Sequence, residues 1–232
     1  MKNEKNNCIY IGSSGFIRLD DCMADDLSVV NAARVSFAKR SEEMTTADIG
    51  LIGFLMRERH GTPFEHNAFR FHVRCPIFVA REWFRHRIGS FNEFSGRYSE
   101  MTEDAYIPEP EYIRTQAGKP GAYKFEPITD EDKLFSVTGK VEKAYTQAFG
   151  HYRELLSMGV AKELARIVIP VGAYTEFYWT VNARSLMNFL SLRTHETAQV
   201  EIREFADAAA LLFKEEMPIT YDEWVKNDRT AP

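Results

Sequence analysis

Residues 69–75 alternate strictly, with Phe69, Phe71, Val73 and Cys75 on one side and Arg70, His72 and Arg74 on the other. A period of two over seven residues is a half-buried β-strand, and its apolar face must be covered by other elements. Pro76 stops the alternation and suits the first turn of a helix, where its missing N–H costs nothing. The spacing predicts that helix over Ile77 to about Arg87.

Covering elements stand on both sides. Asp25 caps a helix running to about Phe37, and Thr45-Thr-Ala-Asp48 forms a capping box before Ile49, Ile52, Leu55 and Met56. That second helix should end near His60-Gly61. A long helix is expected from Asp130 to Met158 with Gly159 as its stop, and a short one over Lys162–Val168. Tyr174–Val181 reads as a strand, Asn182 as the cap of a helix to Arg193, and Ala198–Glu216 as the last helix. Residues 1–23 read as a tail with a short strand around Phe16–Leu19, and Gly89–Gly96 as a loop. Residues 102–129, with prolines at 108, 110, 120 and 127, read as a long irregular insert. Helices and strands do not alternate as regular βαβ units. The expected fold is therefore α+β, mixed helices with a small antiparallel sheet, in a single domain over 1–232.

Composition narrows the function classes. The 17 Phe, 10 Tyr and 3 Trp supply a large core, and no run of ~18 apolar residues offers a membrane span. Residues 1–7 are polar and lack the apolar stretch of a secretory signal. Cys8, Cys22 and Cys75 are widely spaced and form no C-x-x-C pair, so disulfide and zinc-ribbon frameworks are not expected. A net charge of −5 disfavours non-specific binding to nucleic acid or membranes. A cytoplasmic protein is the expectation.

Within that acidic chain the cations are distributed unevenly. Between Arg40 and Lys119 there is no lysine, while arginines stand at positions 57, 59, 70, 74, 81, 85, 87, 97 and 114. From Arg70 to Arg97 six arginines face only Glu82 and Glu93. Arginine's planar fork binds phosphate and carboxylate bidentately, which a lysine cannot do. Two readings stay open: a solvated, ion-paired face, or an anion site. The run from Arg85 to Tyr98 adds Ser90, Asn92, Ser95 and two glycines, an anion cradle with a hydrogen-bonding rim. It matches neither the P-loop nor the dinucleotide glycine pattern. On the predicted helix after Asn182, Arg184 and Asn188 share a face, and Arg193 stands about 16 Å from the cap along the axis. His60, His66 and His72 lack metal-ligand spacing, and Cys75 falls on the buried side of its strand, which suits an inert thiol.

These residues resemble a family. RHRIGSFNEFSGRYS, from Arg85 to Ser99, is similar to the signature of flavin-dependent thymidylate synthases. AARVSF (32–37), HGTPFEH (60–66), FHVRCPIFVAREWFRHR (71–87), ARIVIP (165–170) and FYWTVNARSLMNFLSLR (177–193) look like further family blocks in order. The resemblance implies an enzyme that converts dUMP to dTMP with FAD, NADPH and 5,10-methylenetetrahydrofolate. It also implies a homotetramer with active sites where subunits meet. Thr62, Arg85, His86, Arg87, Glu93, Asn182, Ala183, Arg184 and Asn188 would contact FAD. Glu82, Trp83, Phe84, Arg85, Glu93, Phe94, Ser95, Gly96, Arg97, Arg166 and Arg193 would contact dUMP. Arg193 would activate the pyrimidine base, and His60 and Tyr98 would lie near the flavin ring and the folate path. Position 82 departs from the pattern, carrying Glu where Gln is expected. Arg87 and Arg193 of one chain are expected to serve different sites. A non-catalytic flavin- or nucleotide-binding protein is the alternative.

Overall fold

The computed structural model describes residues 7–119 and 122–232. Met1–Asn6, Pro120 and Gly121, read above as tail and insert, lie outside the described residues. In chain order the elements are β1 (Cys8–Ile11), β2 (Gly15–Met23), α1 (Asp26–Arg34), α2 (Thr46–Arg57), β3 (Ala68–Pro76), α3 (Ile77–Trp83) and β4 (Ser90–Glu93). After these come β5 (Arg114–Lys119), β6 (Ala122–Pro127), α4 (Glu131–Ser157), α5 (Lys162–Ala165), β7 (Tyr174–Val181), α6 (Ala183–Arg193), α7 (Val200–Glu216) and α8 (Pro218–Lys226). The fold is α+β. The described residues group into two compact units, one of residues 7–75, 79–93 and 176–232, the other of 76–78 and 94–175.

The first unit is built on the strand that the alternation foretold. A five-stranded sheet has the order β1-β2-β3-β7-β4, and the β1–β2, β2–β3 and β4–β7 pairs are antiparallel. In β3, Phe69, Phe71, Val73 and Cys75 are fully buried. They meet an aromatic core in which Phe71 stacks on Trp179, and Trp83 packs against Phe177, Trp179, Phe189 and Phe205. The other face of β3 is spent in cross-strand polar pairs. Arg74 Nη1 lies 2.7 Å from Glu176, His72 Nε2 3.1 Å from the same carboxylate, and Arg70 3.4 Å from Asp20. For Arg70 and Arg74, then, the ion-paired reading holds.

Helix boundaries follow the caps. The Asp25 side chain accepts from Ser28 N, and Thr45 and Asp48 exchange both bonds of the capping box. Asp48 is buried, and Thr45 and Arg34 hold its carboxyl below the usual range against the cost of burial. Buried Asp26 reaches the start of α8, accepting from Ile219 N, Thr220 N and Thr220 Oγ1 at 3.0, 2.8 and 2.6 Å. The cap of α6 is doubled: Asn182 Oδ1 accepts from Ser185 N at 2.9 Å and Asn67 Oδ1 from Ala183 N at 2.7 Å. That fixes the entry of the helix carrying Arg184, Asn188 and Arg193.

Five expectations are corrected. Pro76 ends β3 rather than opening α3, because Ile77 N and Phe78 N bond to Ala173 O and Val171 O. α3 proper stops at Trp83, although single turns continue to His86. Gly89–Gly96 is not all loop, since Ser90–Glu93 pairs with β7 as an edge strand. Residues 102–129 contain the β5–β6 hairpin, and α8 follows the helix expected to be last.

The second unit, by itself, holds the hairpin, α4 and α5. Asp130 caps α4, and Gly159 (φ +80°) stops it in the left-handed region that glycine tolerates. Ala105 bridges Ala173, and Met101 N donates to Tyr152 Oη at 3.0 Å.

Candidate functional site

One cavity of the first unit, about 710 Å³, collects residues from four stretches of sequence. Arg85, His86, Arg87 and Ile88 come from the exit of α3, and Asn182, Arg184, Ser185, Asn188, Leu192 and Arg193 from α6 and its cap. Glu65, Ala231 and Pro232 complete the wall. Four arginines against the single lining carboxylate of Glu65 make the cavity cationic. Its asparagines and serine add neutral hydrogen-bonding groups. Arg184, Asn188 and Leu192 share the cavity because i, i+4, i+8 residues lie on one helix face.

Each arginine on α6 is held. Arg184 donates through Nη1 to Glu65 Oε1 at 2.6 Å and through Nε to Pro232 O at 2.9 Å. It lies against Gly61, where an added Cβ would sit 2.5 Å from its Cζ and 2.9 Å from its Cδ. Arg193 donates through Nη1 to Glu82 Oε2 (2.8 Å), through Nη2 to the Glu82 carbonyl (3.2 Å) and through Nε to His86 Nε2 (3.0 Å). The imidazole therefore accepts at Nε2 and is neutral. Burial and the neighbouring Arg193 charge push its pKa down to about 4. The Glu82 carboxyl is pulled two ways: burial and Glu201 raise it above its ordinary value, and Arg193 opposes them.

Of the expected cofactor contacts, Arg85, His86, Arg87, Asn182, Arg184 and Asn188 line this cavity. Thr62 and His60 are exposed outside its wall, and Glu93 is exposed at the end of β4. Ala183 is buried at the start of α6. Trp83, placed on the substrate stretch, is wholly buried in the core, backbone included. Phe84 packs on Phe91 and Phe177. Arg87 and Arg193, expected at different sites, line the same cavity of one chain. Glu65, Ile88, Ser185, Leu192, Ala231 and Pro232 were missed. Glu65 and Ser185 sit inside blocks already singled out, whereas nothing in residues 231–232 marks them.

The second unit carries the remaining candidates as a cluster of its own. Ser95 organises a turn: its carbonyl accepts from Tyr98 N and Ser99 N at 3.1 Å, and its Oγ from Arg97 N at 3.3 Å. Arg97 pairs with Glu163 at 3.2 Å and stands over the Tyr98 ring. Gly96 is buried, and a Cβ there would meet Met101 Sδ at 2.8 Å and Arg166 Cδ at 3.2 Å. Arg166 thus lies along the 94–98 loop, and Phe94 and Tyr98 are exposed on it.

Residues 18–219 match the family model described as thymidylate synthase complementing protein. The chain belongs to that family. It is 49% identical over 212 residues to the flavin-dependent thymidylate synthase of Thermosipho africanus, covering 91% of each chain. With a flavin-dependent thymidylate synthase of Thermus thermophilus the identity is 47% over 213 residues, covering 92% of this chain and 76% of that one. The UMP/dUMP methylase PolB from Streptomyces cacaoi, solved with 5-Br UMP, superposes with a TM-score of 0.87 at 41% identity, over 97% of this chain and 99% of that one.

Proposed function

We propose that this chain is an FAD-dependent thymidylate synthase, converting dUMP to dTMP with 5,10-methylenetetrahydrofolate as one-carbon donor and NADPH as reductant. The observation that carries the reading is the convergence of Arg85, His86 and Arg87 with Asn182, Arg184, Asn188 and Arg193 on one cationic cavity, in a chain of this family. The donor set fits FAD: guanidinium forks suit a pyrophosphate, and the asparagines suit neutral edges. Gly61 leaves the space into which Arg184 fits.

Arg85, Arg87, Arg184 and Asn188 hold the cofactor in this reading, with Asn182 serving the same end of α6. FAD, when bound, supplies the reducing equivalents that complete the methyl group. The chain's own contribution is orientation and electrostatics. Arg193, charged and fixed by three bonds, stabilises negative charge on the N3/O4 edge of the pyrimidine and so raises electron density at C5. No thiol is needed for that activation. Ser95, Gly96, Arg97 and Arg166 bind the phosphate and sugar of dUMP, with Phe94 and Tyr98 beside them. A homotetramer, with sites where subunits meet, belongs to the same proposal.

The test is direct. Protein saturated with FAD should be yellow, bleach with NADPH in the absence of air, and form dTMP only when dUMP and methylenetetrahydrofolate are both present. Protein that takes up no FAD would sink the reading. Protein that takes up FAD, is reduced, and makes no dTMP would favour a non-catalytic flavoprotein.

A further inference from the structure

We infer that Glu82 is a positioning residue for Arg193 rather than a contact to the substrate, an inference that rests on the role proposed above for Arg193. All three guanidinium nitrogens are tied to the segment 82–86: two to the carboxylate and carbonyl of Glu82, one to His86. Arginine has five N–H donors, so these bonds take three and leave one on Nη1 and one on Nη2 for a ligand. The anchor itself is rigid. Glu82 and His86 stand four residues apart at the exit of α3, and Trp83 between them is wholly buried in the aromatic core. His86 N bonds back to Trp83 O at 3.0 Å, and the His86 ring packs on Phe189 of α6.

Two physical arguments favour positioning. Arg193 is the last residue of α6, and an unheld arginine there would spread over many rotamers and lose that freedom on meeting a ligand. A carboxylate placed directly on an anionic substrate would instead repel it. The Glu82–Arg193 pair is partly buried, with side-chain exposures of 26% and 21%, so the charges compensate each other where water does so only in part. A glutamine at 82 could accept the same Nη1–H through its amide oxygen while lacking the charge.

The experiment compares Glu82→Ala, Glu82→Gln, Arg193→Ala and the double variant Glu82→Ala/Arg193→Ala, all loaded with FAD. It measures FAD occupancy, the Kd for dUMP by calorimetry, and dTMP turnover. Glu82→Ala should retain FAD, weaken dUMP about tenfold and lower turnover by a similar factor. Glu82→Gln should recover most of that loss. In the Arg193→Ala background, Glu82→Ala should change the dUMP Kd by less than twofold. A further loss there would show that Glu82 touches the substrate itself, and tighter dUMP binding by Glu82→Ala would show simple repulsion. Either result overturns the inference while leaving the proposed function standing. Full dTMP turnover by Arg193→Ala overturns the inference together with the activating role given to Arg193, because nothing is then left to position, while the thymidylate synthase activity itself still stands.

Discussion

Gly61 lies at the tightest approach of backbone to a candidate cofactor residue, and replacing it separates binding from stability. Its backbone is right-handed helical (φ −71°, ψ −30°), so alanine meets no conformational penalty. Removing a glycine from such a position should stabilise by about 0.4–1 kcal/mol through the unfolded chain. The added Cβ, however, would sit 2.5 Å from Arg184 Cζ and 2.9 Å from Cδ, against an optimum of about 3.5–4 Å. The guanidinium must swing away by roughly an ångström, giving up its bonds to Glu65 and Pro232 O. The Arg184–Glu65 pair is largely exposed, so its loss should cost about 0–1 kcal/mol and roughly offset the gain through the unfolded chain. FAD binding is another matter. Charge-assisted hydrogen bonds are worth about 1.5–3 kcal/mol, which makes the expected loss of FAD affinity roughly 10- to 150-fold. Fluorescence titration of FAD into Gly61→Ala gives the affinity, and urea unfolding of the apoprotein gives the stability. Arg184→Ala should show the same loss, and the double variant no more. FAD affinity within twofold of wild type, with apoprotein stability retained, would show that Arg184 does not hold the cofactor.

Two further outcomes follow from titratable groups outside that contact. His86 has its pKa lowered from 6.5 to about 4, so between those values the unfolded chain binds the extra proton and the folded chain does not. Stability should therefore fall as pH drops from about 6.5 towards 4, by about 1–2 kcal/mol once solvent screening of a half-buried site is allowed for. Urea unfolding at pH 7 and pH 4.5 should show a smaller drop for His86→Gln than for wild type. The Cys75 thiol is pushed well up by burial and by Glu93, so it stays protonated and unreactive. Cys75→Ala should cost about 1 kcal/mol of stability and leave dTMP turnover within a few-fold, whereas loss of turnover in a folded, FAD-loaded variant would restore a covalent mechanism.

What could be read in the sequence was whatever had a local cause. The alternation of 69–75, the capping box at Thr45–Asp48, the Asn182 cap and the Gly159 stop all appear as expected, because each is set within a few residues. The hairpin at 114–127 escaped because both of its strands are almost wholly exposed, so no apolar period marks them. Ser90–Glu93 is a strand only because β7 offers it an edge. α8 was missed although Pro218 stands at its start, because the carboxylate that accepts from its first amides is Asp26, almost two hundred residues away. The same distinction divides the arginines. Arg70 and Arg74 cannot be told from Arg85 and Arg87 by residue type. Only register places Asp20 and Glu176 against the first pair, while the second pair lines the cavity.

That division explains why one short segment can serve both core and site. Trp83 enters the core, and the turns that continue to His86 inherit its rigidity. Glu82 and His86, one position before it and three after, then project away from it and grip Arg193 at the end of α6. Arg85 and Arg87 face the cavity from the same stretch. A lysine at 193 could fill at most a point contact with this holder, whereas the planar guanidinium meets a carboxylate, a carbonyl and an imidazole at once and still presents two donors. The preference for arginine is thus a property of the holder as much as of the ligand. It predicts that Arg193→Lys should resemble Arg193→Ala more than wild type in dUMP affinity, even though the charge is kept.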